Sequence, residues 1–436
     1  MMARTANIPL AQTRKSPSIS VDTGLKGTMM QVSRRALIMN GAAALALAPT
    51  LAGAATDPRA LHKRLICIDS HLDMPANLAR PGWNVMDRHN VDEDFTQVDY
   101  PRMLDGGLDG GFFAIYTPQA PVTPEGMSAM RDAAFLRAAE IREMVAAHPQ
   151  QFELAFLEED AKRIAAKGKI MVYQSIENSG ILGNDPTLLR SFHKLGVRLA
   201  GPVHFLNNQF GDSATDKPKW NGLSPLGKEF VREANDLGVV LDASHSADSV
   251  FDQMLEMSRA PIICSHSSCR ALNNHPRNLD DARIKKLAAK GGTIQMNSVY
   301  LITVPRNPDR AKAESAISEK LENLSGLTPA EATAVVRQAA IDTKALDKKY
   351  PSQRATFDDY MKHILHALDL VGPDHVGIGA DWDGGGGVAG LNDITAIPKI
   401  TERLLKAGYT EAQLGNFWGG NVLRVLGKAY TVRKKA

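Results

Sequence analysis

Seven residues capable of metal binding or proton transfer each come at the end of a short apolar or β-branched run in this chain. They are His71, Asp73, Glu177, His204, His245, His266 and Asp381. Neutral imidazoles suit zinc, and carboxylates bind divalent cations and exchange protons with bound water. One such histidine alone is more often a structural residue, but ligand types that end different strands predict a shared metal site. The chemistry expected of paired metals is hydrolysis by an activated water molecule.

Two of these residues are close in the sequence, in Ile68-Asp69-Ser70-His71-Leu72-Asp73. Residues two apart on an extended segment point the same way, so His71 and Asp73 can bind one cation together. By itself this pattern is weak, because the two side chains could instead hydrogen-bond each other at the end of a strand. The motif alone leaves both interpretations open.

Four further residues complete the predicted metal site. A carboxylate has two oxygens, so Glu177 could bridge two metals and hold them close together. His245 and His266 end neighbouring predicted strands and present two imidazoles side by side. Asp381 could bind a metal and also exchange a proton with water, whereas Asp383 is interpreted as a residue that orients the loop.

These residues need a scaffold that brings distant segments together. Eight short runs alternate with longer amphipathic stretches, which is typical of parallel strands joined by helices. The runs cover residues 65–69, 111–116, 170–176, 197–203, 239–244, 261–265, 293–297 and 375–379. They predict an α/β fold, a closed (β/α)8 TIM-type barrel, in which the carboxyl ends of the strands form the active-site rim. The predicted ligands all lie at that rim.

The connection between the seventh and eighth predicted strands is far longer than a barrel needs, which predicts a helical insertion over about 301–360. Helices are predicted over 309–324 and 329–346, and Thr328-Pro329-Ala330-Glu331 has the pattern of a capping box. A narrow apolar stripe suited to pairing two helices is formed by Ala332, Val335, Val336, Ala339 and Ala340. We expect a hairpin that starts on the metal rim and narrows the cleft. The alternative is a hairpin that leans away from the barrel.

The first 54 residues predict a cleaved twin-arginine signal peptide. Ser33-Arg34-Arg35-Ala36-Leu37-Ile38 precedes an apolar run over 41–48, which is shorter than the roughly 20 residues of a membrane span. Ala52-Gly53-Ala54 has the small residues that a signal peptidase accepts. We expect export by the twin-arginine translocation machinery to the periplasm, a single barrel domain over 55–436 and no stable membrane anchor. A buried N-terminal helix is the alternative for this segment.

Charge and cysteine content narrow the range of partners. Residues 1–54 carry six basic side chains against Asp22, so the formal net charge falls from +3 for the whole chain to −2 for 55–436. The remainder has no basic run interleaved with aromatic residues, so nucleic acid is not an expected partner. Cys67, Cys264 and Cys269 are odd in number and lack CxxC spacing, and they are predicted to be buried thiols.

Five segments together resemble motifs of the membrane (renal) dipeptidase family of two-zinc metallopeptidases. They are Gly222-Leu223-Ser224-Pro225-Leu226-Gly227, Ser258-Arg259-Ala260-Pro261, Ser265-His266-Ser267-Ser268, Arg277-Asn278 and Gly420-Asn421-Val422-Leu423-Arg424. The intervals of 27 residues from Glu177 to His204, 21 from His245 to His266 and 11 from His266 to Arg277 also match those expected of that family. The resemblance spans residues 65–426.

The resemblance implies two Zn²⁺ ions in each chain. One would be bound by His71, Asp73 and Asp381, the other by His245 and His266, and Glu177 would bridge both. The substrate would be a dipeptide, including dipeptides with a C-terminal D-residue, and the nucleophile a metal-bridging hydroxide. His204 would bind the substrate and stabilise the tetrahedral anion, Asp381 would pass a proton to the leaving amine, and Arg277 would bind the free carboxylate. The family also implies a homodimer.

Two other classes of function remain open from the residues alone. A two-metal rim also serves other barrel hydrolases, such as a lactonase, a phosphotriesterase, an amidase or a deaminase. The second class is a periplasmic binding protein that has kept the barrel and lost the chemistry. Such a protein would be expected to lack a ligand, and all six predicted ligands are present.

Overall fold

The strands lie at the predicted runs, within residues 57–305 and 307–434, the part of the chain that a computed structural model describes. They are β1 (Ile68–Leu72), β2 (Gly110–Ile115), β3 (Phe152–Leu154), β4 (Ile170–Ile176), β5 (Val197–Ala200), β6 (Val240–Leu241), β7 (Ile263–Ser267), β8 (Thr293–Met296) and β9 (Val376–Ile378). Only β3 was not predicted, because it has three residues and no apolar run of its own. β3 pairs with the first three residues of β4, and β5 pairs with the last three residues of β4. The predicted leader over 1–54 lies outside the described residues.

The strands form two parallel sheets that meet at two seams. One sheet has the order β1–β2–β4–β5–β6, with β3 beside β4, and the other has the order β7–β8–β9. Asp242 bridges Ile263 at the first seam, where the N–H of Ala243 donates to the carbonyl of Ile263 at 2.8 Å. Leu72 bridges Trp382 at the second seam. The eight main strands therefore close into the predicted barrel.

Helices connect the strands and cover the outside of the barrel. They are α1 (Pro58–His62), α2 (Val91–Asp94), α3 (Tyr100–Gly106), α4 (Pro124–Ala147), α5 (Glu158–Ala165), α6 (Leu189–Leu195), α7 (Pro225–Leu237), α8 (Asp248–Met257), α9 (Asp281–Ala289), α10 (Pro308–Glu322), α11 (Pro329–Lys349), α12 (Phe357–Val371), α13 (Pro398–Lys406), α14 (Glu411–Gly415) and α15 (Asn421–Thr431). Short 3-10 helices occupy Met74–Ala79, Ser179–Leu182, Pro186–Leu188 and Ile394–Ala396, and a π-helical turn occupies Asn416–Gly420. Among the described residues, no helix is long and apolar enough to cross a bilayer.

Local signals in the sequence fix the ends of these helices. In α7, the side chain of Ser224 accepts from the N–H of Gly227, Pro225 opens the first turn, and Gly238 ends the helix with a φ of 76°. Glycine is the residue that adopts this left-handed conformation without a steric cost. These ends determine where each helix leaves the barrel, and thereby where the next strand begins.

Apolar side chains close the amino-terminal end of the barrel. One buried cluster joins side chains from six strands to α5 and α15: Ile68, Phe112, Met171, Tyr173, Leu199, Val240, Ile263, Val425 and Leu426 are among its members. A larger cluster lies between the strands and the outer helices. The three cysteines are buried free thiols, as predicted. With the amino-terminal end packed, the carboxyl ends of the strands remain for a site.

The predicted helical hairpin is present between β8 and β9, as α10 and α11. Thr328 and Glu331 form the predicted capping box of α11. Ion pairs join the two helices, from Arg310 to Asp347 at 2.7 Å and from Lys320 to Asp342 at 3.2 Å. The apolar stripe of α11 is largely buried but belongs to neither core cluster. The hairpin is therefore an addition to the barrel and not a part of its hydrophobic core.

Candidate metal centre

All seven predicted side chains meet at the carboxyl end of the barrel. His71 and His266 lie within β1 and β7, and Asp73 and Glu177 follow directly after β1 and β4. The other three, His204, His245 and Asp381, lie three or four residues beyond β5, β6 and β9. None of the seven is more than 8% exposed. Because parallel strands end at one rim, segments far apart in the sequence contribute to a single buried cluster.

The Oε1 atom of Glu177 is the centre of the cluster. It lies 3.1 Å from Nε2 of His245, 3.4 Å from Nε2 of His204, and 3.6 Å from Nε2 of both His71 and His266. Another contact joins His71 Nε2 to Asp73 Oδ2 at 3.2 Å. A carboxylate oxygen that faces several imidazoles is well positioned to bridge two ions.

Ligand-type atoms form three overlapping groups, in each of which the atoms lie within 4.8 Å of one another. One group is His71, Asp73 and Asp381, and the others are His71, Glu177 and His266, and Glu177, His204 and His245. The first is the set that the sequence analysis assigned to one zinc. His245 and His266, assigned together to the second zinc, both face Glu177 but fall in different groups. His204, predicted to bind the substrate and stabilise the tetrahedral anion but not to bind metal, is as near to Glu177 as the predicted ligands are.

Two of the cluster residues adopt a strained backbone. His245 has a φ of 65° and Asp381 a φ of 67°, and Asp383 beside it has a φ of 64°. Residues other than glycine rarely occupy this left-handed region, where the strain costs about 1–3 kcal/mol. Since the strain falls on predicted ligands, these turns aim their side chains into the cluster at a cost to stability.

Burial and neighbouring charges shift the pKa values of the cluster residues. It raises the pKa of Glu177 and of Asp381, and the charge of Asp73 raises both further. Burial would lower the pKa of His71, but Asp73 and Glu177 outweigh it and raise this pKa to about 10. Burial, together with nearby positive groups, holds the pKa of His245 and of His266 well below the usual value. Crowded carboxylates beside neutral imidazoles are an environment that a cation stabilises.

Buried polar atoms of the cluster lack partners. Among the described residues, none forms a well-oriented hydrogen bond with His71 Nε2, His266 Nε2 or Asp73 Oδ1, and the Asp73 Oδ2 atom 3.2 Å from His71 Nε2 is an ion-pair contact only. Leaving such an atom unpaired costs about 1–3 kcal/mol, so three in one place need another explanation. Imidazole nitrogen and carboxylate oxygen are donors that zinc accepts. The residues present therefore fit divalent metal ions.

A layer of hydrogen bonds behind the cluster orients its members. Ser265 Oγ lies 2.8 Å from His266 Nδ1 and donates to Asp242 Oδ2 at 2.5 Å. Asp69 accepts from the N–H of His71 at 2.9 Å and from a backbone N–H after β9 at 3.1 Å. Neither Asp242 nor Asp69 was predicted from the sequence. The only signal for them is a carboxylate in an apolar run, two or three positions before a ligand.

Two residues of the loop after β9 fix its position against the cluster. A methyl group on Gly384 would come within 2.9 Å of Asp73 Cγ and closer still to carboxylate oxygens of Asp73 and Asp381. Asp383 exchanges hydrogen bonds with Gln97, accepting from its N–H at 2.5 Å and donating to its side chain at 2.8 Å. Asp383 thus orients the loop, as predicted, and Gly384 allows the loop to approach the ligands.

A cavity of about 270 Å³ opens above the cluster, with Tyr116, Phe205, Arg277 and Tyr300 among its lining residues. Arg277 is 4% exposed, and its Nη2 donates to the carbonyl of His266 at 3.3 Å. Its Nε has no hydrogen-bond partner among the described residues, none of whose carboxylates pairs with it. The aromatic residues of this cavity were not predicted, since nothing local distinguishes them from core residues.

Comparison with known proteins adds an independent result. The profile of the membrane dipeptidase family (peptidase family M19) matches residues 56–436. Dipeptidase tcpJ of Claviceps purpurea (strain 20.1) is 29% identical over 353 residues, 79% of this chain and 72% of the relative. Dipeptidase verJ of Clonostachys rogersoniana is 29% identical over 382 residues, 84% of this chain and 85% of the relative.

A solved structure gives the same result for the fold. The crystal structure of the probable dipeptidase PvdM from Pseudomonas aeruginosa superposes with a TM-score of 0.72 and 30% sequence identity, and the match covers 86% of this chain and 98% of that chain. The buried imidazole and carboxylate cluster stands where an enzyme of this kind requires it, on the rim of the barrel. Since the family profile matches nearly the whole described chain, the protein belongs to the membrane dipeptidase family, peptidase family M19, and is a metallo-dipeptidase.

Proposed function

We propose that this enzyme is a binuclear zinc dipeptidase that cleaves dipeptides with a free C-terminal carboxylate, using water activated between the two ions. The observation that carries the proposal is Arg277, a buried cation without a carboxylate partner among the described residues. An uncompensated buried charge is costly, so a partner from outside is expected. A guanidinium binds a carboxylate through two parallel hydrogen bonds, and a dipeptide supplies that carboxylate.

The metal site would use the six predicted ligands. His71, Asp73 and Asp381 would hold one zinc ion, His245 and His266 the other, and Glu177 would bridge them. Two bound ions would lower the pKa of a water molecule and polarise the scissile carbonyl. The closeness of His204 to Glu177, 3.4 Å, also makes His204 a candidate ligand. Metal content of a His204→Ala variant separates the two roles, because a substrate contact can be lost without loss of metal.

The residues around the metal site supply proton transfer and charge stabilisation. Burial, and then the charge of Arg277, lowers the pKa of His204 to about 3, so its ring is neutral and can donate one hydrogen bond to the developing oxyanion. Asp381 offers a carboxylate oxygen that can take a proton from water and return it to the leaving amine. Asn297 donates to Asp381 Oδ2 at 3.2 Å and holds that carboxylate in place.

We further propose export by the twin-arginine pathway to the periplasm, on the basis of Arg34, Arg35 and the apolar run that follows them. Replacing both arginines by lysine should retain the protein in the cytoplasm, and fractionation by osmotic shock measures this. Equal periplasmic amounts of the two forms would contradict the proposal. The homodimer stays a prediction.

A substrate panel tests the function. Purified enzyme, zinc-loaded or treated with a chelator, is offered L,L, L,D and D,L dipeptides, with a lactone and a phosphotriester as controls. We expect zinc-dependent release of amino acids from dipeptides, with D-residues tolerated at the C-terminal position only. Turnover of the lactone or phosphotriester without dipeptide turnover would favour another barrel hydrolase.

The role of Arg277 has a test of its own. Arg277→Ala should raise KM strongly for free dipeptides and affect C-terminally amidated analogues little, because only the former offer a carboxylate. Zinc content serves as the control for folding. Equal losses on both substrates would mean that Arg277 is structural.

A further inference from the structure

The cleft above the metal cluster is lined by loops of the barrel. The loop after β7 contributes Arg277, and the loop after β8 contributes Tyr300. None of the described residues of the hairpin α10–α11 lines this cavity, so the expected narrowing of the cleft by the hairpin is not observed. Recognition of a substrate therefore depends on the barrel loops and on how they hold Arg277.

The side chain of Arg277 has few contacts of its own. Its Nη2 donates to the carbonyl of His266 at 3.3 Å, and its Cζ lies 5.7 Å from the centre of the Tyr300 ring, within the range of a cation–π contact. Its Nε has no hydrogen-bond partner among the described residues. Because so few bonds hold this long side chain, its direction depends strongly on the backbone that carries it.

The side chain of His275 holds that backbone. Its Nδ1 accepts a hydrogen bond from the N–H of Arg277 at 3.2 Å, and its carbonyl accepts from the N–H of Asn278 at 3.0 Å. Only a ring with a free lone pair on Nδ1 can accept the first bond, so the ring proton belongs on Nε2. An Asn or Asp side chain commonly closes a turn in the same way, by accepting from the N–H two residues ahead. His275 thus closes the turn from which Arg277 projects.

The same imidazole packs against Tyr300. The two rings are stacked, with centres 4.2 Å apart and planes inclined by 12°. Tyr300 has a φ of 58°, in the left-handed region that residues other than glycine rarely occupy. Its carbonyl accepts from the side-chain amides of Asn273 at 2.8 Å and Asn278 at 2.9 Å, both in the loop of His275. The two loops are therefore bound together beside the His275 ring, which contacts both of them.

The charges around this ring favour its neutral form. The charged and titratable groups near it are Arg277 and Arg270 of its own loop and Tyr300 of the next. Arg270 is itself paired with Asp248, at the start of α8, at 2.7 Å. Burial, then Arg277 and Arg270, hold the pKa of His275 below its ordinary value of 6.5. The ring is therefore neutral at neutral pH, and protonation in acid would place an N–H where Arg277 requires an acceptor.

We propose that His275 is a positioning residue for substrate binding, whose neutral ring accepts from the Arg277 N–H, stacks on Tyr300 and so holds the guanidinium towards the cleft. The inference rests on the proposed function, in which Arg277 binds the free carboxylate of a dipeptide. Loss of the Nδ1 acceptor, by substitution or by protonation, would leave Arg277 in place in a smaller fraction of molecules. The apparent affinity for a free carboxylate falls by that fraction. Because His275 lies outside the residues that line the cavity, kcat should change little.

The test uses two variants that separate the acceptor from the ring. His275→Phe keeps an aromatic ring for Tyr300 and removes the acceptor, whereas His275→Asn keeps an acceptor and removes the ring. His275→Phe should raise KM for a free dipeptide about two- to tenfold, the effect of one lost hydrogen bond, and leave kcat and the KM of the C-terminally amidated dipeptide nearly unchanged. His275→Asn should show a smaller increase. His148→Phe is the matched control, because His148 ends α4, away from the cleft, and it should change neither KM.

The pH profile is a readout that a purely structural histidine would not change. From about pH 8 down to about pH 5, the ratio of the KM of the free dipeptide to that of the amidated dipeptide should rise for wild type, because His275 gains a proton. In His275→Asn the ratio should stay constant. The ratio cancels titration of the metal site, which affects both substrates alike.

Zinc content and circular dichroism check that the variants fold. Equal increases of the two KM values in His275→Phe, or no increase, would overturn the inference, and so would the same pH dependence in wild type and His275→Asn. If His275→Phe does not fold, the pH comparison decides alone. If Arg277→Ala affects free and amidated dipeptides equally, the proposed role of Arg277 fails and this inference with it. If Arg277→Ala impairs only the free dipeptide and His275→Phe does not, only this inference fails.

Discussion

Asp242 determines which nitrogen of His266 is free for metal, and the variant Asp242→Asn should reverse that choice. In the wild type, Ser265 donates its hydroxyl proton to Asp242 Oδ2 at 2.5 Å and can accept from His266 Nδ1 at 2.8 Å. His266 Nε2 then carries the lone pair that faces Glu177. An amide nitrogen in place of Oδ2 would donate to Ser265 instead. The serine hydroxyl would then donate to His266 Nδ1, and the proton of the ring would move to Nε2.

The structure indicates a large effect on metal binding and a small one on folding. Asp242 Oδ1 accepts from the N–H groups of Ser244 at 3.0 Å and Ser265 at 2.9 Å, and an asparagine oxygen preserves both bonds. Loss of a partner behind a metal ligand typically costs about 10- to 100-fold in affinity, or about 1.4–2.7 kcal/mol. Because His266 serves one of the two proposed ions, the variant should bind one zinc ion nearly as well as wild type and the other much more weakly.

Competition with a chelator measures both affinities, and circular dichroism checks the fold. Ser265→Ala is the matched control, because it leaves His266 free to adopt either tautomer and should lose less affinity than Asp242→Asn. The double variant should bind zinc better than Asp242→Asn alone, since no hydroxyl remains to donate to Nδ1. A double variant no better than Asp242→Asn would refute the tautomer argument.

Three further predictions concern the cluster itself. Asp381→Asn should keep the fold and lose most turnover, because an amide cannot accept the proton, and near-normal kcat would contradict its role. Gly384→Ala should reduce zinc content, because its methyl group displaces Asp73 and Asp381, whereas Gly415→Ala, on helical backbone with its nearest neighbour 4.0 Å away, should keep its zinc in the same elemental analysis. The gain in Tm on adding zinc should grow from about pH 6 to about pH 9. Over that range the metal-free protein loses stability. In the folded state the pKa is about 8 for Glu177 and about 10 for His71, above the unfolded values of 4.5 and 6.5, so the stability that their protonation provides is lost as pH rises. A gain in Tm that shrinks as pH rises would refute this explanation.

Much of the fold and of the candidate site could be predicted because their signals are local. The apolar runs and helix caps identified the eight main barrel strands, and Thr328 and Glu331 marked the start of α11. Each proposed ligand follows such a run, so a closed barrel is sufficient to bring them to one rim. The strand β3 was missed because three residues in an otherwise polar segment carry too little pattern.

The pairing of His71 with His266 and of His204 with His245 around Glu177 could not be predicted, since it depends on the stagger of neighbouring strands and on turns with positive φ. Asp242 and Asp69 were not predicted for a similar reason, because each also accepts a hydrogen bond from a distant segment, from the N–H of Ser265 and of Ala380. Tyr116 was not predicted because nothing local distinguishes it from a core residue. Residue types and spacing, which act over a few positions, determined the barrel, the proposed ligands and the hairpin. Which groups are buried together and which lack a partner was decided only by the tertiary structure, because burial and distance control the charges of a site and neither is encoded locally.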